Sequence, residues 1–279
     1  MNKRIISPIQ INEFREFLRR EEKSTATVEK YLRDVRAFCI YVGGQEITKE
    51  LVIDYKKYLQ EQGYAIRSVN SMLASLNRFL LFRGLEECRV KNIRVQKQTY
   101  CAQEKELTKA EYLRLLKAAE KKEQLKLVIE TICATGIRVS ELKFFTVESV
   151  RLGEVSVQCK NKNRVVFVPD KLKWLLLAFA KKCGIKRGHI FITRGKRPLD
   201  RSYIWSQMKK LCAAAGVNPK KVFPHNLRKL FARTFYGKEK DIAKLSDLLG
   251  HSSIETTRIY IMTTGTEHRR QVGLLGLVV

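Results

Sequence analysis

The stretch HNLRKLFARTFYGKEKDIAKLSDLLGHSSIETTRIY, from His225 to Tyr260, decides the fold of the second half of this chain. It begins with His225 and Arg228, whose spacing of three places both side chains on one face of a helix, one turn apart. An imidazole and a guanidinium placed in this way form a pocket for an oxyanion. The stretch therefore predicts a site as well as a helix.

Two shorter helices are predicted after it. An amphipathic run over residues 241–249 is followed by a glycine in the position of a helix C-cap, and His251 comes directly after that glycine. Ser252 and Glu255 have capping-box spacing for a last helix, which carries Tyr260. Two histidines, one arginine and one tyrosine are thus expected at helix ends that fold back on each other.

The composition narrows the class of protein. The chain has 279 residues, of which 44% are hydrophobic and 30% charged, as expected for a globular protein with two domains. It has 55 Lys and Arg against 28 Asp and Glu, a net charge of +27, which favours a polyanionic partner. Nucleic acid is the usual such partner, and a membrane surface is the other candidate.

Other sequence signals are absent. No run approaches 18 consecutive apolar residues, and the N-terminal stretch lacks the apolar segment of a signal peptide, so the sequence predicts an intracellular, cytoplasmic protein. The seven cysteines have neither CxxC nor Cys/His ligand spacing, which predicts neither disulfides nor a zinc site.

A small helical domain is predicted for residues 1–95. Four amphipathic segments joined by short loops begin near Ser7, Ser24, Thr48 and Ser68. A basic stretch without a sustained period, residues 89–104, then predicts an interdomain linker, which we place at 96–104. The second domain, 105–279, carries most of the charge: residues 1–97 have a net charge of +7 and the remainder +20.

The second domain begins with a capping box formed by Thr108 and Glu111. An apolar helix over residues 125–135 ends at a glycine, and Arg138 follows in the sequence GIRVSEL. The apolar flanks of this segment are expected to be buried, so Arg138 is predicted to face a polar pocket or a carboxylate, for which Glu141 is the candidate.

A β-hairpin follows, with strands over residues 154–159 and 164–168. The connection KNKN, residues 160–163, has a composition suited to a hairpin turn. It places one or two lysines at the tip. Farther along, residues 202–215 are predicted to form one further helix.

Five of these motifs, in this order, resemble the tyrosine recombinase (phage integrase) family. They are ATGIRVSEL around Arg138, Lys160 in a strand-turn-strand, the HNLR of His225 and Arg228, the LGH of His251 and the TRIY of Tyr260. The resemblance covers residues 108–260, and the helical first domain is similar to the core-binding domain of the family. It points to a short two-domain enzyme of the Xer-like or transposon type.

The resemblance implies a mainly α fold with a small antiparallel β-sheet (α+β). It also implies the catalytic residues, which are Arg138, Lys160, His225, Arg228, His251 and Tyr260. Two departures from the family pattern occur. Lys229 stands where many members have His, and the hairpin tip CKNKN replaces the common GKGNK, so Lys160 and Lys162 both remain candidates for the catalytic lysine.

The chemistry of phosphodiester cleavage explains why these residue types are needed together. The two arginines would bind the non-bridging oxygens, on which charge develops in the transition state. Tyr260 would attack the phosphorus, with His225 as the base. His251 would hydrogen-bond the phosphate, and Lys160 would protonate the departing 5′ hydroxyl.

The implied product is a 3′-phosphotyrosyl link that a second DNA end reverses. Because that link retains the bond energy, the resemblance implies neither a cofactor nor a metal. It implies double-stranded DNA as partner and a homo-tetramer on paired sites, with no membrane and no small-molecule substrate. The protein is expected at the nucleoid when bound to DNA.

Two alternatives remain open. Taken singly, the histidines suit a core, Arg138 suits an ion pair with Glu141, and Tyr260 suits helix packing. A non-catalytic DNA-binding protein on this scaffold would need the basic surface but not Tyr260. A type IB topoisomerase-like enzyme would share the site and relax DNA without exchanging partners.

Overall fold

The computed structural model describes residues 4–6, 8–95, 106–159, 162–262 and 273–274. Contacts between residues divide the chain into two compact units, Met1–Lys97 and Gln98–Val279. In the described ranges the fold is mainly α-helical with one two-stranded antiparallel sheet, which confirms the expected fold class. None of the helices in these ranges is both long enough and apolar enough to cross a bilayer.

The described part of the first unit, residues 4–6 and 8–95, contains four α-helices and a short 3-10 helix. The elements are α1 (Pro8–Arg20), α2 (Thr25–Val42), α3 (Lys49–Glu61), α4 (Ile66–Phe82) and the 3-10 helix Glu86–Cys88. Ser24 and Thr48 cap α2 and α3 as predicted. Helix α4 begins two residues before Ser68, because the amides of Ser68 and Val69 already donate to the carbonyl of Ala65.

The beginning of the predicted linker belongs to the first unit. The Asn77 side chain donates to the carbonyl of Val90 (2.8 Å) and accepts from its amide (3.0 Å), and Asn70 does the same for Ile93 (2.9 and 2.8 Å). Val90 is buried. The prediction of a linker beginning at Arg89 was therefore wrong for residues 89–93, since two asparagines of α4 pair with that backbone as a neighbouring strand would. Residues 96–104, where we place the linker, lie outside the described residues. That placement therefore stays a prediction.

The second unit is larger and contains the sheet. Its helices are α5 (Lys109–Ala118), α6 (Glu123–Thr135), α7 (Val147–Leu152), α8 (Asp170–Lys182), α9 (Arg201–Lys209), α10 (Cys212–Ala215), α11 (Pro224–Glu239), α12 (Ile242–Leu249) and α13 (Ile254–Ile261). Strands β1 (Glu154–Cys159) and β2 (Lys162–Phe167) pair with Cys159 opposite Lys162. One apolar core, which includes Val128, Ile132, Phe145, Leu176 and Leu227, joins α5 to α11 and the sheet, while α12 and α13 pack against α11 in a smaller cluster.

Three boundaries in this unit differ from the predictions. Strand β2 begins at Lys162, two residues early, which leaves a two-residue connection. The helix predicted over 202–215 is divided, since the amide of Leu211 donates to the carbonyl three residues before it and tightens the chain there. Helix α13 is capped by Ser253 instead of Ser252, because the Ser253 hydroxyl accepts from the amide of Glu255.

The end of α6 packs closely against α11 beside the candidate site described below. Helix α6 ends at Gly136, which has a φ of +64°, as predicted for a C-cap. A Cβ at this position would lie 2.4 Å from the Phe231 ring on α11, so the approach requires glycine. The carbonyl of Gly136 thereby comes within reach of an α11 side chain.

Candidate active site

Arg228 is the buried centre of the site. It lies on α11 and is 1% exposed. Its Nη1 donates to the carbonyl of Gly136 and its Nη2 to the carbonyl of Leu249, both at 2.6 Å. These carbonyls belong to the C-terminal ends of α6 and α12, where helix carbonyls lack partners within the helix and carry partial negative charge. Two helix ends therefore fix the guanidinium.

Arg138 is held by a carboxylate, as the sequence predicted. Its Nη1 donates to Glu141 Oε1 at 3.1 Å, and its backbone amide donates to Glu141 Oε2 at 2.8 Å. Arg164 on β2 donates from Nη2 to the same Oε2, also at 2.8 Å. Glu141 is only 2% exposed, so a single buried carboxylate orients two guanidiniums.

His251 is fixed as one neutral tautomer. Its Nε2 lies 3.0 Å from Arg228 Nη2, and its Nδ1 lies 2.8 Å from Thr257 Oγ1. A guanidinium can only donate, so Nε2 accepts. The ring proton is then on Nδ1, which donates to the Thr257 hydroxyl. Thr257 is fully buried on α13, the helix that carries Tyr260.

Tyr260 lies between the two histidines. Its ring centroid is 5.1 Å from that of His225, with an interplanar angle of 87°, and 5.1 Å from that of His251, with an angle of 83°. The tyrosine is 7% exposed and packs in an apolar cluster with Ala232, Leu245 and Leu249. Helices α11, α12 and α13 thus meet around this side chain.

Burial and nearby cations keep both imidazoles uncharged near neutral pH. Desolvation lowers the pKa of His225 to about 4, with Lys229 and Arg228 acting in the same direction. Desolvation also lowers the pKa of His251 to about 4, again with Arg228 contributing. The pKa of Arg228 falls to about 10, first through its own burial and then through the charge of Arg138. Each histidine therefore has one ring nitrogen without a proton in the free protein.

Two open cavities meet at Arg138. One, of about 560 Å³, is lined by Arg138, Glu141, Arg164 and His251 among others. The other, of about 360 Å³, is lined by Arg138, Arg201, Trp205, His225 and Arg228 among others. Several guanidiniums and few carboxylates border this space, which suits an anionic ligand.

Five of the six residues expected at a catalytic site come together here: Arg138, His225, Arg228, His251 and Tyr260. Lys160 lies outside the described residues. Lys162, the alternative, is the first residue of β2 and pairs with Cys159.

Sequence reasoning missed two contributors, Arg164 and Thr257. Alternation along β2 carried a signal for the first, because Val166 and Val168 are buried and position 164 shares their face. A charged residue on the inner face of a strand indicates a buried partner. Thr257 precedes Tyr260 by three residues, which places it on the same face of α13.

Comparison with known proteins identifies the relatives of both units. Residues 105–266 match the Phage integrase family, and residues 11–86 match the family's N-terminal SAM-like domain. The chain is 29% identical over 270 residues to "Tyrosine recombinase XerD" of Halalkalibacterium halodurans, covering 88% of this chain and 90% of the relative.

Two solved structures share the fold. A lambda integrase(75-356) dimer bound to a COC' core site matches with a TM-score of 0.74 and 20% identity, covering 94% of this chain and 96% of that one. A lambda integrase tetramer bound to a Holliday junction matches with a TM-score of 0.72 and 20% identity, covering 90% and 76%.

Proposed function

The chain belongs to the phage integrase family, and from this premise we propose that it is a site-specific tyrosine recombinase. It breaks and rejoins double-stranded DNA through a covalent 3′-phosphotyrosine intermediate, in integration, excision or resolution. The observation that carries the proposal is Tyr260, held between two neutral imidazoles beside a buried guanidinium.

The scissile phosphate would bind at Arg138 and Arg228, where the two cavities meet. Two guanidiniums can stabilise the charge that develops on the non-bridging oxygens. Arg228 is held in advance by two helix carbonyls, so little reorganisation is needed when the phosphate arrives. Arg138 is 36% exposed at its side chain and offers the more accessible donors.

Tyr260 is the proposed nucleophile. An ordinary phenol, with a pKa of about 10, is mostly protonated at neutral pH and needs an acceptor for its proton. His225 is neutral and in ring contact with Tyr260, so it can take that proton as the phenol attacks phosphorus. The proton on the departing 5′ oxygen would come from the hairpin lysine, for which Lys160 is our assignment and Lys162 the alternative.

His251 changes its role when the phosphate binds. In the free site its Nε2 accepts from Arg228, so it has no proton to donate there. A phosphate oxygen would take the Arg228 Nη2 donor, and its negative charge would favour a proton on Nε2. His251 then becomes a donor to the phosphate, while Thr257 continues to hold Nδ1.

The proposed assembly is a tetramer on paired DNA sites. The lambda integrase tetramer on a Holliday junction supports this proposal through its shared fold. Four protomers would hold two duplexes, so that each tyrosine link is resolved by the end released from the other duplex. A DNA substrate would place the protein at the nucleoid.

Trapping the adduct tests this function. A half-site with a nick just beyond the cleavage position loses its leaving strand, so the covalent complex accumulates and can be counted on a denaturing gel. We expect wild-type protein to form the adduct and Tyr260→Phe to bind the same DNA without forming it, because only the hydroxyl is removed.

Three outcomes would contradict the proposal or its choice of nucleophile. A wild-type protein that forms no adduct on any bound site would support a non-catalytic DNA-binding protein. Adduct formation with relaxation of supercoiled DNA, but no recombinant product from two sites, would support a topoisomerase-like enzyme. A normal adduct level in Tyr260→Phe would place the nucleophile elsewhere.

A further inference from the structure

We propose that Arg164 is a positioning residue of the cleavage site, which holds Glu141 and, through it, the guanidinium of Arg138. The inference rests on the proposed role of Arg138 in binding the scissile phosphate. We use the term arginine clamp for Arg138 and Arg228, the two residues proposed to bind the scissile phosphate. The inference gives strand β2 a part in this clamp that is separate from the role of the hairpin lysine.

The first argument is the geometry of the buried carboxylate. Glu141 divides its two oxygens: Oε1 accepts from Arg138 Nη1, and Oε2 accepts from Arg164 Nη2 and from the Arg138 amide. Glu141 and Arg138 lie in the same turn, whereas Arg164 comes from β2, 23 residues farther on. Arg164 is therefore the contact that fixes the Glu141 carboxylate from outside its own segment.

The second argument is charge. A buried carboxylate paired with one arginine makes a neutral pair and holds that arginine strongly. A second arginine on the same carboxylate leaves one net positive charge, so Arg138 keeps an attraction for an incoming anion. Arg164 supplies that charge from a side chain that is only 13% exposed, turned towards Glu141.

The third argument is the packing of Arg164 on Gly250. A Cβ at position 250 would lie 2.6 Å from both Cδ and Nε of Arg164. Gly250 has a φ of +63°, caps α12 and directly precedes His251. The Arg164 side chain thus passes over the turn that presents His251 and reaches the carboxylate that holds Arg138. Arg164 therefore lies between Arg138 and His251 in the lining of the cavity of about 560 Å³.

The main test compares Arg164→Met with Arg164→Lys in the full chain. Methionine keeps much of the length but loses the charge and the N–H donors, and a misplaced catalytic group typically costs on the order of 10²-fold in rate. We expect single-turnover cleavage of a half-site to fall by roughly 10- to 100-fold for Arg164→Met. Arg164→Lys should recover part of the loss, because an ammonium can still pair with Glu141.

Binding of the half-site is measured in parallel. Because Arg164 is turned inward and the scissile phosphate is one of many phosphates that a half-site offers, the Kd of both variants should stay within about twofold of the wild-type value. A large rise in Kd would mean that Arg164 contacts DNA directly, which would overturn the positioning role. Wild-type cleavage by Arg164→Met would overturn it as well.

A substrate with a methylphosphonate at the scissile position separates positioning from a general structural defect. Its methyl group replaces one non-bridging oxygen and removes the negative charge that the arginine clamp stabilises. The deficit of Arg164→Met should shrink on this substrate, in parallel with that of Arg138→Ala. An equal deficit on both substrates would mean a structural loss and would contradict the inference. If wild-type protein makes no adduct on the ordinary phosphate, the proposed function fails first.

Gly250→Ala provides an independent check. The methyl group strains the backbone in any background, but it displaces a long side chain only when Arg164 is present. The loss of cleavage caused by Gly250→Ala should therefore be smaller in an Arg164→Ala background, which has no atoms at the positions of Cδ and Nε, than in the wild type. If the two substitutions reduce the cleavage rate by independent factors, so that the double variant shows their product, Gly250 does not position Arg164.

Discussion

At the scale of single residues, Arg228 shows why a lysine cannot replace an arginine in this site. The guanidinium uses separate nitrogens for the carbonyls of Gly136 and Leu249, while Nη2 also reaches His251. A lysine ammonium cannot span these partners, and burial would push its pKa, ordinarily about 10.4, downwards. We expect Arg228→Lys to lose about 100-fold or more in cleavage rate, the usual effect of losing one transition-state donor.

Arg138→Lys is the matched comparison for this prediction. Arg138 is more exposed, so a lysine there stays charged, but it lacks the planar fork that binds two phosphate oxygens. We therefore expect a large loss that is smaller than that of Arg228→Lys. Single-turnover adduct formation at saturating protein measures both. Near-normal cleavage by either variant would place that arginine outside the site.

Thr257 gives a second prediction at this scale. Valine has the shape of threonine but no hydroxyl, so Thr257→Val would leave the Nδ1 proton of His251 without its acceptor. A buried N–H donor without an acceptor costs about 1–3 kcal/mol. This is enough to shift the tautomer equilibrium of His251 and to slow cleavage by roughly tenfold. Imidazole nitrogen chemical shifts report the tautomer directly. Thr257→Ser, which restores the hydroxyl, should recover both the shifts and the rate; a valine variant with an unchanged tautomer would refute the role.

At the scale of elements, helix α4 is predicted to anchor the chain that leaves the first unit. Asn77→Ala removes both bonds to Val90 and leaves those of Asn70 to Ile93 in place. Net contributions of about 0.5–1.5 kcal/mol per bond predict loss of amide protection at Val90 with little change at Ile93. Hydrogen exchange of the full chain measures each amide separately.

Asn77→Asp is the control for this anchor. A carboxylate can still accept from the Val90 amide but cannot donate to its carbonyl, so it should retain part of the protection. Equal protection of Val90 in the wild type and in Asn77→Ala would show that packing alone holds the segment.

Short local signals in the sequence predicted the elements around the site well. Glycine after an apolar run marked the ends of α6 and α12 at Gly136 and Gly250, and the capping box of Thr108 is present as predicted. These signals succeed because they depend on the backbone of a few neighbouring residues. The pairing of Asn77 with Val90 and of Arg164 with Glu141 depends on tertiary approach, which no local pattern contains.

The residues of the site also divide into those that sequence motifs predicted and those that depend on tertiary contacts. Motif order predicted that Arg138, His225, Arg228, His251 and Tyr260 would act together, and the structure brings them to one place. The supporting residues were missed, because a lone arginine in a strand and a lone threonine in a helix each have an ordinary local explanation. Their partners, Glu141 and His251, follow only from what lies opposite them after folding.

At the scale of the whole molecule, we predict that charge and the apolar C-terminal segment govern association. The net charge of +27 predicts strong, salt-dependent binding to DNA, since each phosphate contact releases counterions. The segment after Tyr260 ends in Leu274, Leu275, Leu277, Val278 and Val279. Most of it lies outside the described residues, but Leu274 is described and is 73% exposed. An apolar terminus of this kind favours a docking partner, either its own unit or a neighbouring protomer.

We predict that the neighbouring protomer is that partner in the complex on paired sites. Docking in trans would couple the placement of Tyr260 on α13 to assembly, so that a lone monomer rarely cleaves and an assembled complex does. Deletion of residues 271–279 should then leave binding to a single half-site nearly unchanged. It should weaken cooperative occupancy of a site with two half-sites and reduce recombination. Replacing the apolar residues of this segment by serine, at full length, should reproduce the deletion if apolar docking is the cause.

Gel-shift titrations on one and on two half-sites measure the affinity for a single half-site and the cooperativity. A recombination assay on the same DNA measures the yield of recombinant product. A truncated protein that fills both half-sites with unchanged cooperativity would refute docking in trans. A truncated protein that loses its folded second unit, seen as a lowered Tm and lost binding to one half-site, would show that the segment docks on its own unit. Because the two forms of docking change different measurements, the experiment distinguishes a segment that stabilises the fold from one that links protomers.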